Sequence, residues 1–311
     1  MSKKVLMAII ALVMSFSGAN ASFRSGGFID RHDHDGDRRD RHDDHECDRH
    51  ENDDHDRGDR DLKIIGLTSD QRLIRFSADC PCDTKQIGHI IGLGPDTSLV
   101  GIDFRVQDGK LYGVGNAGGI YTIDTNTATA LYVNTLTVPL NGTSFGVDFN
   151  PAADRLRIIS DTGQNLRHNV NAGGVTIADA TLNYTPGTAA TGVTGAAYTN
   201  NDLDTNTGTT LFDIDSNLNQ VAIQSPPNNG SLVATGKLTI DVTSVVGFDI
   251  YSKIRNGVTV DNVAFATLLT AADSKLRLYD INLLTGKATY RGWFKNQDQV
   301  IDIAIPLNQR Y

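Results

Sequence analysis

Six of the eight histidines of this 311-residue chain fall within residues 30–61, DRHDHDGDRRDRHDDHECDRHENDDHDRGDRD. His32, His34, His42, His45, His50 and His55, with Cys47 and many carboxylates between them, offer imidazole, thiolate and oxygen donors. Such donors suit Zn, Cu or Ni, and these metals are the cofactors the sequence suggests. Nothing in the spacing fixes a geometry, so the competing reading is a solvated polyampholyte spacer. The run DHDGD at 33–37 lacks the length and the bidentate Glu of an EF-hand loop.

A second cluster is DRLRIISDTGQNLR at 154–167. Strand alternation puts Arg155, Arg157 and Ile159 on one face, and Arg167 arrives from the next strand, so guanidinium groups are expected to converge there. Arg155, Arg157, Asp161, Gln164, Asn165 and Arg167 are therefore the candidate ligand-binding residues, since guanidinium forks bind carboxylates or phosphates bidentately. The alternative is an internal Arg–Asp network involving Asp154 and Asp161. His168, beside this cluster, and His89 carry no argument alone.

Asp103, Asp148, Asp249 and Asp302 recur in related settings, GIDF, GVDF, GFDI and VIDI. Facing a central pocket, they could serve a glycoside hydrolase, one acting as general acid. Two observations oppose this. Residues 62–311 contain no glutamate, and an Asp repeated at the same place is expected to accept structural hydrogen bonds in each repeat. No catalytic residue is assigned. No G-x-S-x-G elbow is present, and Gly115 to Gly119 make a turn between strands, not the strand-to-helix loop of a dinucleotide site.

The elements that must position these groups begin at Leu62. From there the chain runs in segments of four or five apolar, alternating residues, such as LYGV, IYTID, ALYV, LRII and LRLYD. Asp108-Gly109, Gly118-Gly119, Gly173-Gly174, Asn256-Gly257 and Thr285-Gly286 supply the positive φ that tight hairpins require. No amphipathic helix is evident. The motif positions Asp103, Asp148, Ala197, Asp249 and Asp302 are 45, 49, 52 and 53 residues apart, a period that fits one four-stranded propeller blade. Residues 62–93 supply three strands with no motif strand ahead of them, and residues 300–306 can complete that blade. The expected fold is all-β, a five-bladed β-propeller closed by the C-terminal strand and preceded by a disordered His/Asp/Arg-rich tail. An open sandwich or two β domains is the alternative.

Residues 1–21 read as a signal peptide, with Lys3 and Lys4, an apolar run at 5–14 and Ala19-Asn20-Ala21 before the cleavage site. Domain organisation follows as signal peptide 1–21, disordered segment 22–61 and propeller 62–311, in a secreted or periplasmic protein. No later stretch is apolar enough to span a membrane. Residues 30–61 hold 13 Asp and 2 Glu against 7 Arg, a net of −8 out of −9 for the chain, so the remainder is nearly neutral and nucleic-acid binding lacks a basic footprint. Export permits disulfides among Cys47, Cys80 and Cys82, but an odd number leaves one thiol over, and the pairing stays open.

Three passages go further: GVDFNPAADRLRIISDTGQNLRHN (146–169), AAYTNN (196–201) followed by TTLFDID (209–215), and QSPPNNGSL (224–232). In this order they resemble a family of secreted bacterial proteins known as domain of unknown function 4394, over residues 62 to about 308. The resemblance implies a β-propeller-like fold and no assigned activity. The functional expectation is an exported, non-enzymatic binding or interaction module whose partner is a small molecule, a glycan or a protein, with a tail that binds divalent transition metals. An extracytoplasmic carbohydrate-active hydrolase and a structural surface or matrix protein are the alternatives.

Overall fold

The computed structural model describes residues 62–295 and 298–309; the signal peptide and the tail expected over 1–21 and 22–61 lie outside them, as do all the candidate metal ligands. The chain opens with β1 (Lys63–Thr68), β2 (Arg72–Ser77) and β3 (Lys85–His89). Next come β4 (Leu99–Phe104), β5 (Leu111–Gly115), β6 (Gly119–Ile123) and β7 (Ala130–Thr135). A third group is β8 (Phe145–Asn150), β9 (Arg155–Ser160), β10 (Asn165–His168) and β11 (Thr176–Ala178). A fourth is β12 (Val193–Tyr198), β13 (Leu211–Asp215), β14 (Gln220–Gln224) and β15 (Leu232–Lys237). A fifth is β16 (Val242–Arg255), β17 (Val258–Thr270), β18 (Leu276–Ile281) and β19 (Ala288–Trp293), before a final strand, β20 (Val300–Ala304).

These strands form five four-stranded antiparallel sheets, the blades of a propeller. Four blades are continuous in sequence. The other has the order β20-β1-β2-β3, with β20 antiparallel to β1 through Ile65↔Ala304, Gly66↔Ile303 and Leu67↔Asp302. The strands carrying the repeated motif are the inner ones: β4, β8, β12, β16 and β20 adjoin one another in turn, and β20 adjoins β4.

Burial along each blade follows from this placement. Inner and second strands such as β12 and β13 are buried at every position, so both of their faces must be apolar or hydrogen-bonded. The outer strands β7, β15 and β19 share one pattern in which most residues reach solvent. The core is divided among the seams between neighbouring blades. One seam packs Tyr112 and Ile120 against Phe149 and Leu156, with the Tyr112 and Phe149 rings edge to face at 5.2 Å. Another packs Ile64 and Phe76 of the first blade against Phe265 and Leu278 of the fifth.

The motif glycines are explained by how closely the inner strands approach. A Cβ on Gly146 would stand 2.7 Å from the Ala196 backbone nitrogen, and one on Gly247 2.7 Å from the Asp302 Cα. Both are shorter than any tolerable contact, so any larger residue would push the blades apart.

Candidate functional site

The repeated aspartates lie where the inner strands converge, and each ties its own strand to the next. Asp103 Oδ2 accepts the Phe149 N–H at 2.7 Å, and Asp148 Oδ1 accepts the Tyr198 N–H at 3.0 Å. Asp249 Oδ2 accepts the Ile305 N–H at 2.6 Å, and Asp302 Oδ2 accepts the Ile102 N–H at 2.7 Å. Ala197 takes the equivalent place in β12, so that strand contributes no such bond. The structural role expected of a recurrent Asp is therefore specific: it crosses from blade to blade.

Asp103, Asp148 and Asp249 each bring a carboxylate oxygen within 4.8 Å of the others, the group among the described residues whose donors could hold an oxygen-liganded cation. All four aspartates are buried. Burial, followed by the charges of Asp249 on Asp103 and of Asp103 on Asp148, pushes those two carboxyls well above the usual range. Burial does the same to Asp302 and raises Asp249 to about 7. Three acids do converge, but on backbone amides and with almost no solvent exposure, so they lack the open space in which a hydrolase holds sugar and water.

The second cluster is brought together in part. Arg157 and Arg167 are cross-strand partners on β9 and β10, and both bind Asp179, from Arg157 Nη1 at 2.7 Å and Arg167 Nε at 3.0 Å. Arg157 also donates to Asn165 Oδ1 at 2.7 Å, Asn228 Oδ1 at 2.9 Å and the Tyr198 hydroxyl at 3.3 Å. Asn165 donates in turn to the Ala180 and Pro227 carbonyls, both at 3.0 Å. The remaining candidates are elsewhere. Asp161 accepts from the Thr143 hydroxyl at 2.7 Å, Gln164 bonds the 139–141 loop, and Arg155 donates to the Ala153 and Asp154 carbonyls.

An internal network thus exists, but its carboxylate is Asp179. Asp154 pairs instead with Arg105 of the preceding blade. Arg157 is 3% exposed, and its donors are used within the fold. His168 is buried between Thr176 Oγ1 and Asn134 Oδ1, each at 2.9 Å, and burial lowers its pKa to about 4, so its ring is neutral near pH 7.

A solvent-open cleft of about 830 Å³ lies between the fourth and fifth blades, and no sequence motif pointed to it. β16 and β17, at 14 and 13 residues, are far longer than the other strands and turn at Asn256 and Gly257, both with positive φ (54° and 82°), as a two-residue hairpin demands. The hairpin walls the cleft with Thr259, Val260 and Asn262, and Asp280, Thr289 and Arg291 line it from β18 and β19. It is fastened to the fourth blade: Asp202 Oδ2 accepts the Thr259 N–H at 2.9 Å, and Asn262 Nδ2 donates to Asn200 Oδ1 at 2.8 Å. Arg291 Nε donates to Asp280 Oδ2 at 2.7 Å, while the buried Asp280 Oδ1 has no hydrogen-bond partner. Val260 and Leu284, 54% and 75% exposed, add an apolar border. The signal that could have revealed this site was the length of the two strand-like runs flanking Asn256-Gly257, 14 and 13 residues with no other turn pair between them.

Among the described residues no helix is long and apolar enough to cross a membrane. No curated protein matches the chain. Among solved structures, one from a nidogen/laminin complex is 11% identical, with a TM-score of 0.45 over 80% of this chain and 99% of that one. A protein from Lactobacillus plantarum is 13% identical, covering 78% and 98% of the two chains with a TM-score of 0.38. A glutaminyl cyclase from Myxococcus xanthus is 15% identical, covering 70% and 75% with a TM-score of 0.36. The family model described as Domain of unknown function (DUF4394) matches residues 72–304, nearly the whole propeller, and the chain belongs to that family.

Proposed function

We propose that this protein is an exported binding module whose ligand is a neutral glycan segment held in the cleft beneath the β16–β17 hairpin. The observation that carries this reading is the cleft itself, open to solvent and lined by convergent Asn, Thr, Asp and Arg side chains beside exposed Val260 and Leu284. Hydroxyl groups of a sugar both donate and accept, which suits amide and hydroxyl partners, and the ring faces suit aliphatic contacts. A purely structural protein has no need of such a cleft. The axial aspartates, committed to backbone amides, favour binding over hydrolysis.

Calorimetric titration of soluble oligosaccharides into the wild-type protein and a Thr289→Trp variant tests the reading. Thr289 is exposed on β19, so an indole there fills the cleft without disturbing the core. The expected loss is about tenfold or more in affinity, equivalent to about 1.4 kcal/mol. Unchanged binding in the variant, or no binding by the wild type, defeats the glycan proposal, and release of new reducing ends would favour the hydrolase. The tail, through His32, His34, His42, His45, Cys47, His50 and His55, adds a capacity for Zn, Cu or Ni. Equal, weak heats on titrating Zn²⁺ and Cu²⁺ into the full chain and a chain lacking residues 22–61 would remove that part of the proposal.

A further inference from the structure

Asp213 stands at the middle of β13, with Ala196 of β12 and Ala222 of β14 as its cross-strand partners. It is 0% exposed, and neither of its carboxylate oxygens has a hydrogen-bond partner. The axial aspartates, by contrast, each accept a backbone N–H. A buried carboxylate that no protein group satisfies carries a large desolvation cost, which a ligand can offset.

Strand alternation gives its surroundings. Asp215 follows on the same face of β13, and Gln224, opposite Leu211, is the diagonal neighbour of Asp213. This face looks into the seam with the third blade, where Ala196, Leu211 and Ala222 pack with Ile159 and Leu182. Gln224 Nε2 donates to Asn165 Oδ1 at 3.3 Å and to the Pro227 carbonyl at 2.6 Å, while the buried Gln224 Oε1 has no partner. Asp215 accepts the Tyr184 hydroxyl at 2.9 Å and the Leu218 N–H at 2.8 Å, and each of these oxygens keeps a second lone pair.

Charge points the same way. Arg157 is the cation that acts on Asp213, but it is matched by Asp179 at 2.7 Å. Lys237, which acts on Asp215, is exposed and donates to the Leu218 carbonyl and Gln220 Oε1. Burial pushes the Asp213 carboxyl well above the usual range, so a bound positive charge is needed to keep it ionised near neutral pH. A proton supplies one donor for the unpartnered oxygens of Asp213 and Gln224, whereas a cation meets all of them at once.

We propose that Asp213, Asp215 and Gln224 form a calcium site in the seam between the third and fourth blades, with both oxygens of Asp213 as its principal ligands. Calcium accepts carboxylate and amide oxygens in irregular geometry, and magnesium, which keeps several waters, suits so enclosed a place less well. The two carboxylates balance the divalent charge. Through Asp215 and Tyr184 the ion fastens the connection after the third blade to the fourth. The site is separate from the cleft and does not rest on the glycan reading.

The test uses the full chain, stripped with EDTA and exchanged into choline chloride. Its melting temperature is followed as calcium chloride is added, and bound calcium is measured by plasma mass spectrometry after loading and gel filtration. The wild type should retain a stoichiometric amount of calcium and melt higher as calcium rises. Asp213→Asn should lose both effects, Gln224→Leu should weaken calcium binding about tenfold or more, and Asp148→Asn should keep both. A wild type that retains no calcium and melts at an unchanged temperature overturns the proposal without recourse to any variant, and leaves those oxygens to water or a shared proton. Retention of calcium by Asp213→Asn, or unchanged affinity in Gln224→Leu, also overturns it, and loss in Asp148→Asn alone would move the ion to the axial carboxylates.

Discussion

Arg157 illustrates how a residue that looks like a ligand-binding group can be consumed by the fold. Its guanidinium meets Asp179, Asn165, Asn228 and Tyr198, so it joins the third blade to the loop after it and to the Pro227–Asn229 turn of the fourth. The side chains of both Arg157 and Asp179 are only 4% exposed. Removing one member of such a pair strands the other charge, which typically costs about 3–5 kcal/mol. Arg157→Met should therefore lower the urea midpoint strongly and leave oligosaccharide binding by the still-folded protein unchanged. A variant of wild-type stability with lost binding would instead return Arg157 to the role of ligand-binding residue. Its importance was legible in the Arg-x-Arg pattern. Its partners were not, because Tyr198 and Asn228 are 41 and 71 positions away in the chain.

At the scale of elements, the short strands were legible because their information is local: alternating apolar residues, bounded by turn pairs such as Asn256-Gly257. The propeller's first blade needed a longer argument, from three strands lacking an inner partner to a spare strand near the C-terminus. β20 fills that place on β1, and Val300 and Ile303 enter the seam with Leu62, Phe76 and Phe265. A chain ending at residue 298 should consequently fail to fold cooperatively, since β1 would expose an unpaired edge and two seams would lose apolar cover. A sharp thermal transition in that truncated protein would contradict the role assigned to β20. The length of β16 and β17 was equally present in the sequence. That they make a cleft depended on Asp202 and Asn200 holding the hairpin against another blade.

For the whole molecule, convergence of the inner strands gathers four aspartates that stand 45, 101 and 53 residues apart in the chain. Their carboxyls are raised chiefly by burial, Asp249 to about 7 from 3.8. A carboxyl raised in the folded state binds its proton more tightly there than in the unfolded chain. Its contribution to stability is thus full below pH 3.8 and lost as pH rises through about 7. Asp103, Asp148 and Asp302 act in the same direction. His168, lowered to about 4 from 6.5, acts oppositely, its stabilisation being lost as pH falls through that interval. Asp249→Asn should reduce the fall in melting temperature between pH 3.8 and about 7. Every tenfold difference in proton affinity between the folded and unfolded chain that the substitution abolishes is worth about 1.4 kcal/mol. Calorimetric scans across that window that superimpose in slope on the wild type would refute the assignment.

The strands, their grouping into five blades and the recurrent Gly and Asp of the inner strands can be read from the chain alone, because hydrophobic alternation, turn chemistry and repeat spacing are written locally along it. Folding assigned the polar residues their roles. It turned the repeated aspartates into links between blades, gave Arg157 the partner Asp179, and opened the cleft beside the long hairpin. The physical reason is that the function of a charged or amide side chain depends on which distant groups satisfy it once water is excluded, and packing of the blades fixes those neighbours.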